Sequence, residues 1–229
     1  MRAGANPERA TRCESSRAGP CPWPRADFAP VIRHFGRADY RRTYEAMRLF
    51  TEGRKAATPD ELWVLEHPAV YTVGVAGRKE HLPRSSKIPL EHVDRGGQIT
   101  YHGPGQAIVY ALIDLARRGL TVRAMVTLLE QSVIDTLAAN GLRAGRMSGA
   151  PGVYVQTAKI AALGLRVRRG CCYHGVALNV NMDLAPFSEI DPCGYPGLEV
   201  TQTSLLGMAA GAAELGQALA ERIARLLER

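Results

Sequence analysis

The sequence is poor in aromatics, poor in cysteine and free of long apolar runs. Aromatic residues make up 6% of the chain, with two Trp and four Phe. They are not interleaved with the basic residues, so no stacking platform for nucleic-acid bases is evident. Five cysteines in 229 residues do not make a disulfide scaffold. Their odd number leaves a thiol over in any intramolecular pairing, which points to a reducing compartment. The longest apolar stretches, such as Ile160–Leu165, are far too short to span a bilayer. No Gly-Lys-Ser/Thr phosphate loop is present, and no C-x-x-C or H-x-x-x-H pair offers zinc-binding spacing.

Hydrophobic residues reach 46%, enough for a substantial core. The formal net charge is +7 and the isoelectric point is about 9.4. Residues 1–30 differ from the rest: they hold five of the 14 prolines, five arginines, Cys13 and Cys21. They lack the apolar core of a secretory signal, and Glu8, Glu14 and the prolines oppose an amphipathic transit helix. The expectation is a disordered extension over 1–30 and one domain over 31–229.

Within that domain, hydrophobic spacing predicts helices over Asp39–Lys55, Thr121–Asn140 and Ala212–Leu227. Thr121 is the expected N-cap and Gly141 the expected C′ residue of the second. Short apolar runs predict strands at Val31–Gly36, Leu62–Leu65, Val70–Val73, Gln98–Tyr101, Ala107–Ile113, Val153–Val155, Ile160–Val167 and Val176–Val180. Residues 76–89 read as an exposed loop. Many strands are close enough to be hairpin neighbours, so the fold class is α+β, with a mixed or antiparallel sheet and flanking helices.

Four segments could carry chemistry. Arg95–Gly105 packs four glycines around Gln98-Ile99-Thr100-Tyr101-His102, a pattern for tight turns or for close backbone approach to a ligand. Lys159 is the sole charge between Arg146 and Arg166. It either snorkels to solvent or sits in a pocket, where desolvation lets it exchange protons near neutrality. Cys171-Cys172-Tyr173-His174 reads as two small buried residues at a strand start, since adjacent cysteines rarely bridge each other. Cys193 lies between Pro192 and Gly194, in a loop where a thiol can meet a substrate. From Thr136 to Met182 there are six basic residues and no acidic one, either a solvated face or a surface that steers an acidic partner.

In order and spacing these segments resemble the lipoyl(octanoyl) transferase family, also called lipoate–protein ligase B. The matching stretches are Glu66–Gly74, Arg95–Gly105, Gly152–Val155, Lys159–Gly164, Arg168–Val180 and Pro192-Cys193-Gly194, within roughly residues 31–207. Ala162 stands where many relatives carry serine, so a backbone contact is expected there. The resemblance implies a fold like that of biotin and lipoate protein ligases. It implies transfer of an octanoyl group from octanoyl-acyl carrier protein to a lysine of lipoyl domains, those of 2-oxoacid dehydrogenase E2 subunits and of the glycine cleavage H protein. Cys193 would carry the acyl group as a thioester and Lys159 would lower its pKa. Substrate binding would fall to Arg95, Gly96, Gly97, Gln98, Ile99, Thr100, Tyr101 and His102, to Ala162, Leu163 and Gly164, and to Gly175, Val176 and Ala177. No cofactor, metal, nucleic acid or membrane is implied, and a cytoplasmic monomer is expected, with a mitochondrial site as alternative. The rival on the same fold is an ATP-dependent lipoate or octanoate ligase.

Overall fold

The computed structural model describes residues 29–83, 85–192 and 197–228. The expected extension at 1–30 and the thiol of Cys193 lie outside the described residues, apart from Ala29 and Pro30.

In chain order the elements are β1 (Val31–Arg37), α1 (Tyr40–Glu52), β2 (Glu61–Glu66), β3 (Val70–Val73), β4 (Leu90–His92), β5 (Ile99–His102), β6 (Gln106–Asp114), α2 (Leu115–Arg118), α3 (Val122–Ala139), β7 (Gly145–Met147), β8 (Ala150–Val155), β9 (Ala158–Arg168), β10 (Cys171–Asn179) and α4 (Ala212–Leu227). Seven strands form one sheet in the order β1-β2-β6-β10-β9-β8-β7, and β4-β3-β5 form a second. Only β1–β2 and β3–β4 are parallel pairs, so the sheets are mixed, as expected.

Local chemistry sets the helix ends. Asp39 accepts from Arg42 N at 3.0 Å to cap α1, and Thr121 accepts from Ala124 N at 3.1 Å to cap α3. On α4, Leu215, Leu219 and Ile223 recur every fourth residue and are buried. Each such side chain contributes about 1.5–3 kcal/mol on burial. A Cβ on Gly216 would lie 2.8 Å from Val64 Cγ1, so the close packing of α4 on β2 depends on glycine there.

The large sheet is buried on both faces. Helices α3 and α4 pack on one face with Val109, Val176 and Leu178. Helix α1 packs on the other through Met47, against Trp63, Ile108, Tyr110, Tyr173 and Ala177. Strands β6 and β10 are the centre of the sheet. Strand β10 begins five residues earlier than its apolar run predicts, because Cys171–Gly175 also pair with β9. Cys171 and Cys172 are free, buried thiols at the strand start. The basic run is broken up in space: Arg146 pairs with Glu130 at 2.8 Å, Arg168 with Glu52 at 2.5 Å, and Arg166 approaches Asp94 at 3.9 Å.

One end of the sheet is held by a buried ion cluster. The fully buried carboxylate of Asp60 meets the guanidinium groups of Arg54, Arg117 and Arg118, the latter two at 2.7 and 2.6 Å. It also accepts from Asp114 N at 2.8 Å. Arg118 donates onward to the carbonyl of Leu227, tying α2 to the end of α4. Removing one member of such a cluster leaves buried charge uncompensated. Asp60→Ala is therefore expected to cost about 3–5 kcal/mol, read as a drop of roughly 10 °C in Tm. A drop under about 2 °C would show that the cluster is not structural.

Candidate active site

A cavity of about 380 Å³ lies between the large sheet, the starts of α1 and α3 and the 95–100 loop. Its floor is a break in side-chain bulk. Ala162 pairs with Ala177, and Gly164 with Gly175, giving four adjacent positions with nothing larger than a methyl group. Ile108 and Tyr110, the β6 partners of Ala177 and Gly175, bound the floor on the next strand. The far end is closed by the 95–97 loop, where Gly96 N donates to the Leu165 carbonyl at 2.9 Å. A Cβ on Gly164 would lie 3.1 Å from Gly96 O, so that loop sits directly over the floor.

Of the fourteen residues assigned to substrate binding, thirteen line this cavity. Tyr101 is the exception. Successive residues of a strand face opposite sides. Thr100 and His102 face the cavity, while Tyr101 packs in a separate core against Tyr71 and Phe187 at centroid distances of 5.6 and 5.5 Å.

Lys159 is buried, with 3% of its surface exposed. The β8–β9 register shifts between Val153 and Tyr154, and both Ile160 and Ala161 fall in the α3/α4 core, so strand alternation is lost there. Beyond that bulge Lys159 Nζ donates to the Pro151 carbonyl at 3.0 Å, and Pro151 is a cavity wall. The ammonium also lies 5.2 Å from the centroid of the Tyr154 ring. Gly152 makes room for it: a Cβ there would meet Lys159 Cε at 2.9 Å. Segment 199–201 runs alongside, with Lys159 N donating to Glu199 O at 2.8 Å and Thr201 N to Lys159 O at 2.9 Å.

The rest of the rim is polar and tightly bonded. Arg95 donates to the Thr72 carbonyl at 2.7 Å and to Thr72 Oγ1 at 2.8 Å. Gln106 donates its amide to Asn179 Oδ1 at 2.9 Å, so its Oε1 accepts from His102 Nδ1–H at 2.8 Å. This leaves His102 Nε2 as the unprotonated nitrogen, 3.4 Å from Thr72 Oγ1. His67 Nδ1–H donates to the Ala38 carbonyl at 2.7 Å, and its Nε2 accepts from Tyr110 OH at 2.8 Å. His174 Nε2 lies 3.2 Å from Asp94 Oδ1, and Tyr173 OH also donates to Asp94. Burial opposes charge on Asp94, but the hydrogen bonds from His174 and Tyr173 outweigh it and hold the carboxyl well below its usual range.

Burial drives all three histidines toward the neutral form. It pushes His67 down to about 4 and His102 down to about 3, and it lowers His174 as well. In the unfolded chain the same groups titrate near 6.5. Below that pH the unfolded state takes up protons that the native state refuses, so stability falls with falling pH. It is fully present above about pH 7 and declines as pH falls from 6.5 toward about 3, by about 2 kcal/mol each for His67 and His102 at pH 5. Thermal melts between pH 8 and 4.5 should show this decline. His67→Gln, which cannot titrate, should flatten it by about one histidine's share, and an equally steep curve in that variant would refute the assignment.

Sequence reasoning missed Tyr40, Ile108, Tyr110, Val122, Val126, Pro151, Leu165 and His174 as cavity walls. Period-two alternation placed Ile108 and Tyr110 in a strand but did not say which face held a ligand. His174 was read only within a strand-start segment. Among the described residues no cluster of His, Cys, Asp and Glu has metal-binding geometry, and no helix is long and apolar enough to cross a membrane.

Comparison with known proteins gives the family and the fold. The family profile of the lipoyl protein ligase A/B catalytic domain matches residues 39–224. An octanoyltransferase of Aromatoleum aromaticum is 59% identical over 206 residues, covering 90% of this chain and 89% of that protein. One from Dechloromonas aromatica is 56% identical over 199 residues, covering 87% and 97%. Among solved structures, a putative lipoate protein ligase from T. acidophilum with bound lipoic acid has a TM-score of 0.70 at 17% identity, covering 87% of this chain and 86% of that one. A biotin protein ligase from Aquifex aeolicus in complex with biotin and ATP has a TM-score of 0.54 at 15% identity, covering 86% and 70%. These two share the fold. The chain belongs to the lipoyl protein ligase A/B catalytic-domain family.

Proposed function

We propose that this protein transfers an octanoyl group from octanoyl-acyl carrier protein to a lysine of a lipoyl domain, through a thioester on Cys193. It is an acyltransferase, in the family of the octanoyltransferases named above. The observation that carries the reading is the buried Lys159 ammonium, held on the wall of an apolar cavity with a small-residue floor. An eight-carbon chain suits that floor, and burying about six methylenes supplies about 5 kcal/mol. Glu199, whose carbonyl accepts from Lys159 N, lies six residues after Cys193 along the chain. The thirteen cavity residues from the glycine loop, β9 and β10 hold the acyl group in this reading.

A free cysteine has a pKa near 8.5, and a neighbouring ammonium stabilises its thiolate. Cys193 and Lys159 react as a thiolate–ammonium pair, with the thiol's proton already on Lys159 Nζ, and the sulfur attacks the thioester carbonyl. The bond from that carbon to the carrier's sulfur breaks, and the departing thiolate takes the proton from Lys159. Neutral Lys159 then accepts a proton from the acceptor amine as it attacks the acyl-enzyme, and returns it to the released Cys193 sulfur. Exchange between thioesters is nearly balanced and the final amide is downhill, so no ATP enters. Gly175 sits inside β10 between two paired strands, with its N–H in the ladder. Gly96 N is taken by the Leu165 carbonyl, so Gly97 is the oxyanion donor of that loop in this reading. The acceptors in this reading are lipoyl domains of 2-oxoacid dehydrogenase E2 subunits and of the glycine cleavage H protein. The enzyme acts as a cytoplasmic monomer, a setting in which Cys171 and Cys172 stay free.

Intact mass after mixing with octanoyl-acyl carrier protein tests the reading. The chain should gain one octanoyl group, and Cys193→Ala should abolish that gain. Lys159→Ala should slow acylation by about 10²-fold or more and move the pH profile of thiol alkylation upward. Transfer that needs ATP and survives Cys193→Ala would instead favour the ligase chemistry, and an unchanged alkylation profile would remove Lys159 from the mechanism.

A further inference from the structure

His174 occupies an unusual place in the large sheet. It lies in the middle of a central strand, yet its φ is +63°, in the left-handed region that non-glycine residues avoid. Its neighbours in the period-two pattern, Cys172 and Val176, both face the α3/α4 core. The pattern would send the imidazole there too. Instead the ring stacks on Tyr44 and Tyr173 at 5.6 and 5.0 Å and meets Tyr110 edge-on at 6.2 Å, all on the cavity side. The left-handed backbone has swung the side chain through to the cavity face. Two consecutive residues, Tyr173 and His174, thus present rings on one side of the sheet. Such strain persists only where surrounding contacts over-determine it, and it concentrates at functional sites. Here the contacts are the three rings and the Asp94 carboxylate.

The position of that ring matches a length. The small-residue floor starts at Ala162 and Ala177, on the side toward Lys159, and ends where His174 pairs with Leu165. From Ala177 to His174 is three residues, about 10 Å at the rise of a strand. An extended eight-carbon chain is about 9 Å long, from carbon–carbon bonds of about 1.5 Å. We propose that His174 is the length stop of the acyl cavity: the terminal methyl of the acyl chain abuts its imidazole, with the Gly164 position as the gap beside it. This rests on the reading that the reacting carbonyl lies at the Lys159 end. Because the ring is clamped by stacking and by Asp94, it is a hard wall, and a longer chain has nowhere to go.

Two substitutions with opposite expected effects test the proposal. His174→Gly removes the wall and suits the positive φ, so the backbone is not strained further. Gly164→Ala adds a methyl group at the far end, where a Cβ would already touch Gly96 O and Arg95 Cδ at 3.1 and 3.2 Å. Competing hexanoyl, octanoyl, decanoyl and dodecanoyl carrier proteins are supplied together, and the acylated lipoyl domain is weighed. One methylene of burial is worth about fourfold, so a two-carbon step moves a preference by about 15-fold. The wild type should prefer octanoyl, His174→Gly should shift toward decanoyl or longer by about that factor, and Gly164→Ala should shift toward hexanoyl. An unaltered order of donors in both folded variants overturns the length stop. Binding of the free C6 to C12 fatty acids, followed by calorimetry, separates this from the transfer reading. A wild type that binds octanoate best, with the same shifts in the variants but no transfer, keeps the stop and sinks the acyltransfer. Transfer with no length preference in any variant does the reverse.

Discussion

A central strand buried on both faces ordinarily fills both with side chains. The constraint on this fold is that β10 must leave one stretch of one face empty without collapsing into it. The solution is local. Ala162, Gly164, Gly175 and Ala177 remove bulk from the sheet surface, and everything around them is fixed by hydrogen bonds or ring contacts. A Cβ on Gly175 would lie 2.1 Å from Val109 O, so that strand position cannot carry a side chain without displacing β6. The opposite face keeps Val109 and Leu178 packed under α3 and α4, so the sheet itself does not weaken where the cavity opens.

The same constraint orders the electrostatics. Groups around the cavity are buried, and burial disfavours charge. The three histidines yield to it and are neutral at pH 7. Asp94 does not, because His174 and Tyr173 donate to it, and it stands at the outer edge of the network. Lys159 is placed against a carbonyl and the face of a tyrosine ring, both of which favour a cation. The polar wall thus holds neutral histidines and the hydrogen-bonded Arg95 guanidinium, with Lys159 beside Pro151 at one end. Such a distribution suits an uncharged apolar ligand whose reacting end needs proton transfer.

The parts of this arrangement legible in the sequence were those carried by composition. A lone lysine in an apolar strand and a glycine cluster followed by a histidine were each readable as a candidate site segment beside a plain structural alternative. The helices were legible from periodicity and caps, and α4 was read with the bounds it has in the structure. What stayed hidden depends on backbone conformation or on distant partners. Nothing local marks His174 as left-handed, since the contacts that hold it come from Tyr44, Asp94 and Tyr110. Strand β4 is three residues long and exists through pairing with β3, and β7 likewise depends on β8. The bulge that sets Lys159 beside Pro151, a residue of the cavity wall, arises from the β8–β9 register. The basic run from Thr136 to Met182 looked like a one-sign surface because the sequence does not show that Glu130, Asp94 and Glu52 come to meet it.

The thiols illustrate how environment decides chemistry among identical side chains. Cys172 has its sulfur against the Ala111 carbonyl inside the core, and burial pushes it up to about 12. At pH 7 its thiolate fraction is negligible, and it behaves as a small apolar residue. Burial raises Cys171 too, and nearby Asp114 adds repulsion to the same effect. The guanidinium groups of Arg54 and Arg117 pull Cys171 the other way, but burial outweighs them. Under the proposed mechanism the other thiols must not trap the acyl group, and burial of Cys172 in the α3/α4 core and of Cys171 at the strand start meets that requirement. In that mechanism it is the placement of the lysine, rather than the number of cysteines, that selects the reacting sulfur.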